Sequence, residues 1–266
     1  MATDLAMEKV FAYMNSRSLL KERVGKALRR AIDEVLDGGR TGRWDINQLD
    51  KNEKTYIGTK VEILLRDQLS LPEGRKLDFL IEGVEVDLKF SIHPYGHMIP
   101  AEAVGELCIL AWANDFLSKF TLGLVRAHPA ILNQGGNRDG KRTISEAGRH
   151  HIRWLISQAQ GDLPQNFLLN LQASIRDRIF QQPKGQPRVT ELFRAVQKRI
   201  IPREAIVILG QQQDPLKRVR DTRQQLLKEG IAVLGHQNED RLQAISMGLT
   251  PPKSGEFISA PVLTKS

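Results

Sequence analysis

The sequence predicts a mixed α/β (α+β) chain of two domains, and three observations predict it. Helical and strand periodicities share the first 160 residues, with helices flanking a run of consecutive strands. A polar Gly/Pro stretch, Gln160-Gly161-Asp162-Leu163-Pro164, then interrupts the pattern. Charge also differs across that seam: residues 1–163 carry 23 basic and 22 acidic side chains, residues 164–266 carry 16 and 9. The expected domains are 1–162 and 163–266.

At 266 residues, with 41% hydrophobic and 26% charged side chains, the chain has ordinary globular usage. A formal net charge of +8 points to a polyanionic partner. Cys108 is the only cysteine, which excludes an intrachain disulfide and a thiolate zinc cluster. No apolar run approaches the ~20 residues needed to span a bilayer, and no basic-then-apolar leader opens the chain. The expectation is a soluble, cytoplasmic protein with no membrane partner.

In order, helices are expected near 3–15 and 18–36, then a Gly-rich basic turn over 38–43 and a helix over 53–69. Strands follow near 76–82, 84–91, 106–113 and 119–126. A loop from Asn133 to Lys141 leads to a helix near 144–159.

The stretch from Leu77 to Phe90 alternates apolar and polar residues on both sides of Glu82-Gly83, the period of two expected of strands with one buried face. With Glu82-Gly83 as a two-residue turn, Ile81 pairs with Val84, Phe79 with Val86 and Leu77 with Leu88. One face is then apolar, and a one-residue slip would spoil it. The other face sets Asp78 opposite Asp87, with Lys89 two residues along. Like charges so placed destabilise a hairpin, unless a cation lies between them. Two hard oxygen ligands completed by water and a phosphate oxygen suit Mg²⁺. Lys89 could then serve an attacking water or stabilise a pentacovalent phosphorus. The same face would also serve as a solvated surface whose charges neutralise one another, and the hairpin alone does not decide. On the preceding helix, Ile57, Val61, Leu64, Leu65 and Leu69 recur at helical spacing, with Glu62 on the rim of that stripe. Glu62 could face the hairpin, or form an i, i+4 pair with Arg66.

The series Glu62, Asp78 and Asp87-Leu88-Lys89 resembles the signature of PD-(D/E)xK nucleases. More narrowly, the chain resembles the NaeI-type restriction endonucleases, relatives of the mismatch-repair nicking enzyme MutH. Three segments carry the resemblance: Asp37 to Arg43 (DGGRTGR), Lys51 to Glu62 (KNEKTYIGTKVE), and Asp78 through Lys89. The C-terminal half is similar too, although the chain is short there for the type and its second domain is expected to be trimmed. The resemblance implies a restriction-endonuclease-like core in which Asp78, Asp87 and Glu62 ligate Mg²⁺ and Lys89 acts on the attacking water. It implies double-strand cleavage of DNA to 5′-phosphate and 3′-hydroxyl ends. Arg40, Arg43, Lys51 and Lys54, in the matching segments, become candidate DNA contacts. A homodimer follows from the two-fold symmetry of such targets.

In the second half, Arg188 to Lys198 reads as a helix and Arg188 as a DNA contact. Asp214-Pro215 opens a helix running to about Lys228, stopped at Gly230, and Ile231 to Leu234 reads as a strand. Helix, turn, basic helix and strand suit a winged helix-turn-helix. Lys217, Arg218, Arg220, Gln224 and Lys228 would meet double-stranded DNA, or form a solvated helix face. Residues 250–266 are expected to be loosely ordered. Gly135 to Arg142 reads G-G-N-R-D-G-K-R, with Arg142 where a phosphate-binding loop has Ser or Thr, so no nucleotide cofactor is expected. Arg138, Lys141 and Arg142 instead become candidate DNA contacts. Two rival readings remain, a strand-specific repair nickase and a non-catalytic winged-helix regulator.

Overall fold

The computed structural model describes residues 4–211 and 214–262. The chain divides into two compact units, Met1–Val35 with Leu49–Gln165, and Leu36–Gln48 with Asn166–Ser266. Residues 36–48 thus group with the second unit, which a single linear boundary does not capture. No helix among the described residues is long and apolar enough to cross a membrane.

The first unit opens with α1 (Leu5–Asn15) and α2 (Leu20–Leu36). On α2, Val24, Leu28 and Ile32 recur at i, i+4, i+8 and are fully covered. A capping box starts α4 (Lys51–Leu69): the Asp50 carboxylate accepts from Glu53 N, and the Glu53 carboxylate accepts from Asp50 N. Its buried residues are the five of the expected stripe, Ile57, Val61, Leu64, Leu65 and Leu69.

Five strands follow in spatial order β1 (Phe79–Ile81), β2 (Val84–Ser91), β3 (Leu107–Asn114), β4 (Lys119–Arg126) and β5 (Arg153–Ile156). All neighbours are antiparallel except β2 and β3, which run parallel with Asp87 beside Cys108 and Lys89 beside Leu110. The register of the first hairpin is the expected one, Phe79 with Val86 and Ile81 with Val84. Glu82 and Gly83 both take positive φ, 50° and 75°, as a primed two-residue turn requires. α4 packs against β2, with Gly58 facing Phe90.

Two expectations fail in this unit. β1 starts at Phe79, so the Leu77–Leu88 ladder pair is absent. The Glu85 carboxylate accepts the N–H groups of Arg75, Lys76 and Leu77, curling that segment out of the ladder. Residues 144–159 are not a helix: a 3-10 turn at Arg149–His151 precedes β5. Ile152, Trp154 and Ile156 alternate, and the outer edge of β4 receives them. A Cβ at Gly123 would lie 2.6 Å from Ile152 and 3.0 Å from Trp154, so β5 approaches β4 only because that residue is glycine.

The second unit contains α3 (Gly38–Thr41), where a turn was expected, then α5 (Ala173–Gln181), α6 (Gln186–Ala195), β6 (Ile201–Pro202), α7 (Arg203–Gly210), α8 (Pro215–Lys228), β7 (Ile231–Leu234), α9 (Asn238–Ser246) and β8 (Glu256–Pro261). β8 is the centre of a three-stranded sheet ordered β6-β8-β7. The tail is therefore ordered through this strand, contrary to expectation, while residues 263–266 lie outside the described residues. Ile258, Ser259 and Ala260 are buried, and Ser259 Oγ donates to the Phe193 and Val196 carbonyls. β8 gives both β6 and β7 a hydrogen-bonding partner, and that long-range demand orders it. The core gathers Leu192 and Phe193 of α6, Ile206 and Leu209 of α7, and Val219 and Leu226 of α8.

Candidate functional site

Glu62, Asp78, Asp87 and Lys89 come together on α4 and the β1–β2 hairpin. Asp78 reaches β2 through its side chain, Oδ2 accepting from Leu88 N at 2.7 Å, in place of the missing ladder pair. The Asp87 side chain is 6% exposed, and Lys89 Nζ lies 2.9 Å from its Oδ1 and 2.7 Å from its Oδ2. Burial raises the Asp87 pKa to about 6; the Lys89 ammonium opposes that rise, and the hydrogen-bonded Asp78 carboxyl adds to it. The buried Asp87 carboxyl and the half-buried Asp78 carboxyl therefore sit together, with the Lys89 ammonium on Asp87. Two hard oxygen donors placed together fit a divalent cation. Among the described residues no group of three or more His, Cys, Asp or Glu side chains is close enough to hold a metal by itself. A cation there would be completed by water and phosphate oxygens.

Glu62 is 28% exposed and pairs with Arg66 Nη2 at 2.6 Å. Its pKa is raised, first by burial and then by Asp78, while Arg66 and Lys89 oppose the rise. Glu62 thus makes the i, i+4 pair and also feels the hairpin charges. Of two further neighbours, Arg66 was expected only as the i, i+4 partner of Glu62, and Glu85 was missed from sequence. Arg66 also reaches the Asp78 carbonyl at 3.4 Å, and Glu85 shapes the segment leading into Asp78. An Arg four residues after the helix acid was a visible signal for the first; nothing in the alternation marked the second.

The other candidates scatter. Arg40 on α3 is exposed and pairs with Asp37, and Arg43 donates Nε to the Leu36 carbonyl. Lys51 and Lys54 lie in the first turns of α4. Arg138 and Lys141 project from a loop whose Asn137 side chain accepts from Asp139 N and Lys141 N, and Arg142 is bridged to Ile99. In the second unit Arg188 turns inward, donating to the Gln182 and Phe180 carbonyls. Arg218 is half-buried and faces Asp221 at 3.4 Å. Lys217, Arg220, Gln224 and Lys228 are exposed, and their spacing sets them on one stripe of α8.

His97 is buried, its Nε2 within 3.0 Å of the Ala111 carbonyl, and burial lowers its pKa to about 4. Burial, then the Asp87 charge, pushes the Cys108 thiol up to about 12, so it stays protonated and inert.

The family model described as Restriction endonuclease NaeI matches residues 8–266. A type II restriction enzyme NaeI from Lentzea aerocolonigenes is 40% identical over 266 residues, covering 97% of this chain and 83% of that relative.

Proposed function

The chain belongs to the NaeI restriction endonuclease family, and on that premise we propose how its residues cleave DNA. It is a type II site-specific deoxyribonuclease. In the proposed reading it is cytoplasmic and Mg²⁺-dependent, and breaks both strands of a specific site. Membership of the family supports a PD-(D/E)xK core. So do the mixed sheet, the acid-bearing hairpin and α4 against β2.

The observation that carries the mechanism is the Asp78–Asp87 pair, Asp87 buried, joined to Lys89. Asp78 and Asp87 would hold the divalent ion, with Glu62 assisting directly or through water. When bound, the ion supplies charge to stabilise the transition state and lowers the pKa of a coordinated water. The chain's own residues do the rest. Lys89, held by both Asp87 oxygens, orients the attacking water and stabilises the charge that builds on phosphorus. The Asp78 carboxylate, anchored on Leu88 N, keeps its second oxygen fixed against β2. The hydrolysis leaves a 5′-phosphate and a 3′-hydroxyl.

DNA is held at two places. On the first unit the candidate DNA contacts are Arg138, Lys141 and Arg142 of the loop before β5, with Lys51 and Lys54 at the start of α4. In the second unit, the order from α6 onward, helix, strand, helix, helix, strand, helix, strand, and the sheet β6-β8-β7 support a winged-helix reading with α8 as the recognition helix. Lys217, Arg220, Gln224 and Lys228 form its DNA face, with Arg218 at its margin; Arg40 and Arg43 are further candidates. Arg188 drops out, because its guanidinium is taken by carbonyls.

Incubating the purified protein with supercoiled plasmid, in Mg²⁺ or in EDTA, tests the reading. Discrete linear fragments are expected in Mg²⁺ alone, with Asp87→Ala inactive and Lys89→Ala slower by about 100-fold or more. Nicked circles as the end product would favour the strand-specific nickase. Intact plasmid with DNA binding retained would favour the non-catalytic regulator.

A further inference from the structure

Arg66 belongs to neither the family signature nor the carboxylate set, yet its guanidinium joins two members of that set. Nη2 lies 2.6 Å from Glu62 Oε1 and 3.4 Å from the Asp78 carbonyl. The guanidinium also stands 5.9 Å over the Phe79 ring, next in sequence to Asp78. A surface i, i+4 pair has no such third partner, and its two side chains are usually solvated. Here Glu62 and Arg66 are only 28% and 31% exposed.

The distribution of charge explains what the contact does. Lys89 neutralises Asp87, the Leu88 N–H supports Asp78, and Arg66 holds Glu62. A divalent ion entering between Asp78 and Asp87 meets a third carboxylate already engaged by a fixed cation. On the metal-site reading above, we propose that Arg66 is a positioning residue: it holds Glu62 beside Asp78 and competes with the ion for that carboxylate. Arg66 thereby weakens ion binding. A merely structural arginine does the opposite. Its loss loosens the site and weakens ion binding, or leaves it unchanged.

The test is titration of the full-length protein with Mn²⁺ alone, free ion being read by electron paramagnetic resonance, with circular dichroism to verify folding. R66Q is expected to bind Mn²⁺ about fivefold more tightly than the unsubstituted chain. In an E62Q background the same substitution is expected to change affinity less than about twofold, the mark of a pair acting through Glu62. If R66Q fails to fold, R66K replaces it; its single ammonium cannot bridge Glu62 and Asp78, and a smaller gain in the same direction is expected. Unchanged or weaker Mn²⁺ binding in the folded variant overturns the proposal, as does an equal gain with and without Glu62. D87N separates this from the metal site itself. Binding lost in D87N with R66Q unaltered removes only the role of Arg66. No Asp87-dependent binding in the unsubstituted chain removes both.

Discussion

Asp87 on β2 and His97, packed against β3, are two buried titratable groups that respond to pH in opposite senses. Burial raises the Asp87 carboxyl to about 6 and lowers the His97 imidazole to about 4, because it disfavours the charged form of each. For His97 the unfolded chain takes up a proton near 6.5, while the folded chain resists until about pH 4. Its contribution to stability is therefore complete above 6.5 and is lost as pH falls towards 4, by about 3 kcal/mol in all. Asp87 acts the other way: its folded form holds a proton that the unfolded chain releases above 3.8, so it favours folding most at low pH. His97→Gln keeps a donor for the Ala111 carbonyl and removes the charge. Its urea midpoint, measured between pH 6.5 and 4, should fall less steeply than that of the unsubstituted protein. An identical pH profile would show that His97 ionises freely.

α8 illustrates how an element sorts its own charges. It starts where the Asp214 carboxylate accepts from Lys217 N at 3.1 Å, with Pro215 in its first turn. Val219 and Leu226 face the core, and Lys217, Arg220, Gln224 and Lys228 face outward. If that stripe meets phosphates, each cation neutralises one and releases a counterion. Replacing Lys217 and Lys228 by Ala should then lower the slope of log affinity against log salt by about 0.9 per contact. Arg188→Gln should leave the slope alone, since that guanidinium already serves two carbonyls. Equal slopes for all three variants would move the DNA face elsewhere. The β4–β5 pair shows a different constraint on an element, because Gly123 leaves room for Ile152 and Trp154 where any side chain would collide.

For the whole molecule, the proposed chemistry sets a requirement on assembly. One Asp78–Asp87–Lys89 centre per chain meets one scissile phosphate at a time, and the two strands of a symmetric site run in opposite directions. Two copies related by a two-fold axis satisfy both facts. The purified protein should therefore sediment at twice its 30.0 kDa chain mass when cutting both strands. A monomer that yields only nicked plasmid would overturn the dimer and with it double-strand cleavage by paired centres. Within each chain the described units keep separate cores, one around the five-stranded sheet and one around α6, α7 and α8.

Features that depend on neighbours a few residues apart were legible before folding. Alternation across Glu82-Gly83 specified the hairpin register, because a slip would turn Phe79 and Val86 to the wrong face. Helical spacing specified the buried stripe of α4, and the Asp214 cap and Gly230 bounded α8. The pairing of Asp78, Asp87 and Lys89 was legible for the same reason, since all three lie on one local hairpin. Partners that arrive from far along the chain were set by the folded packing. Residues 153–156 join the open edge of β4 instead of a helix, and Glu256–Pro261 becomes the central strand of the second sheet. Glu85 draws the segment before Asp78 out of the ladder, and Arg66 ties Glu62 to the Asp78 carbonyl. Asp87 acquires its raised pKa only when the sheet closes over it. Each of these outcomes rests on burial and hydrogen-bond demand set by distant residues, and those appear only once the chain has folded.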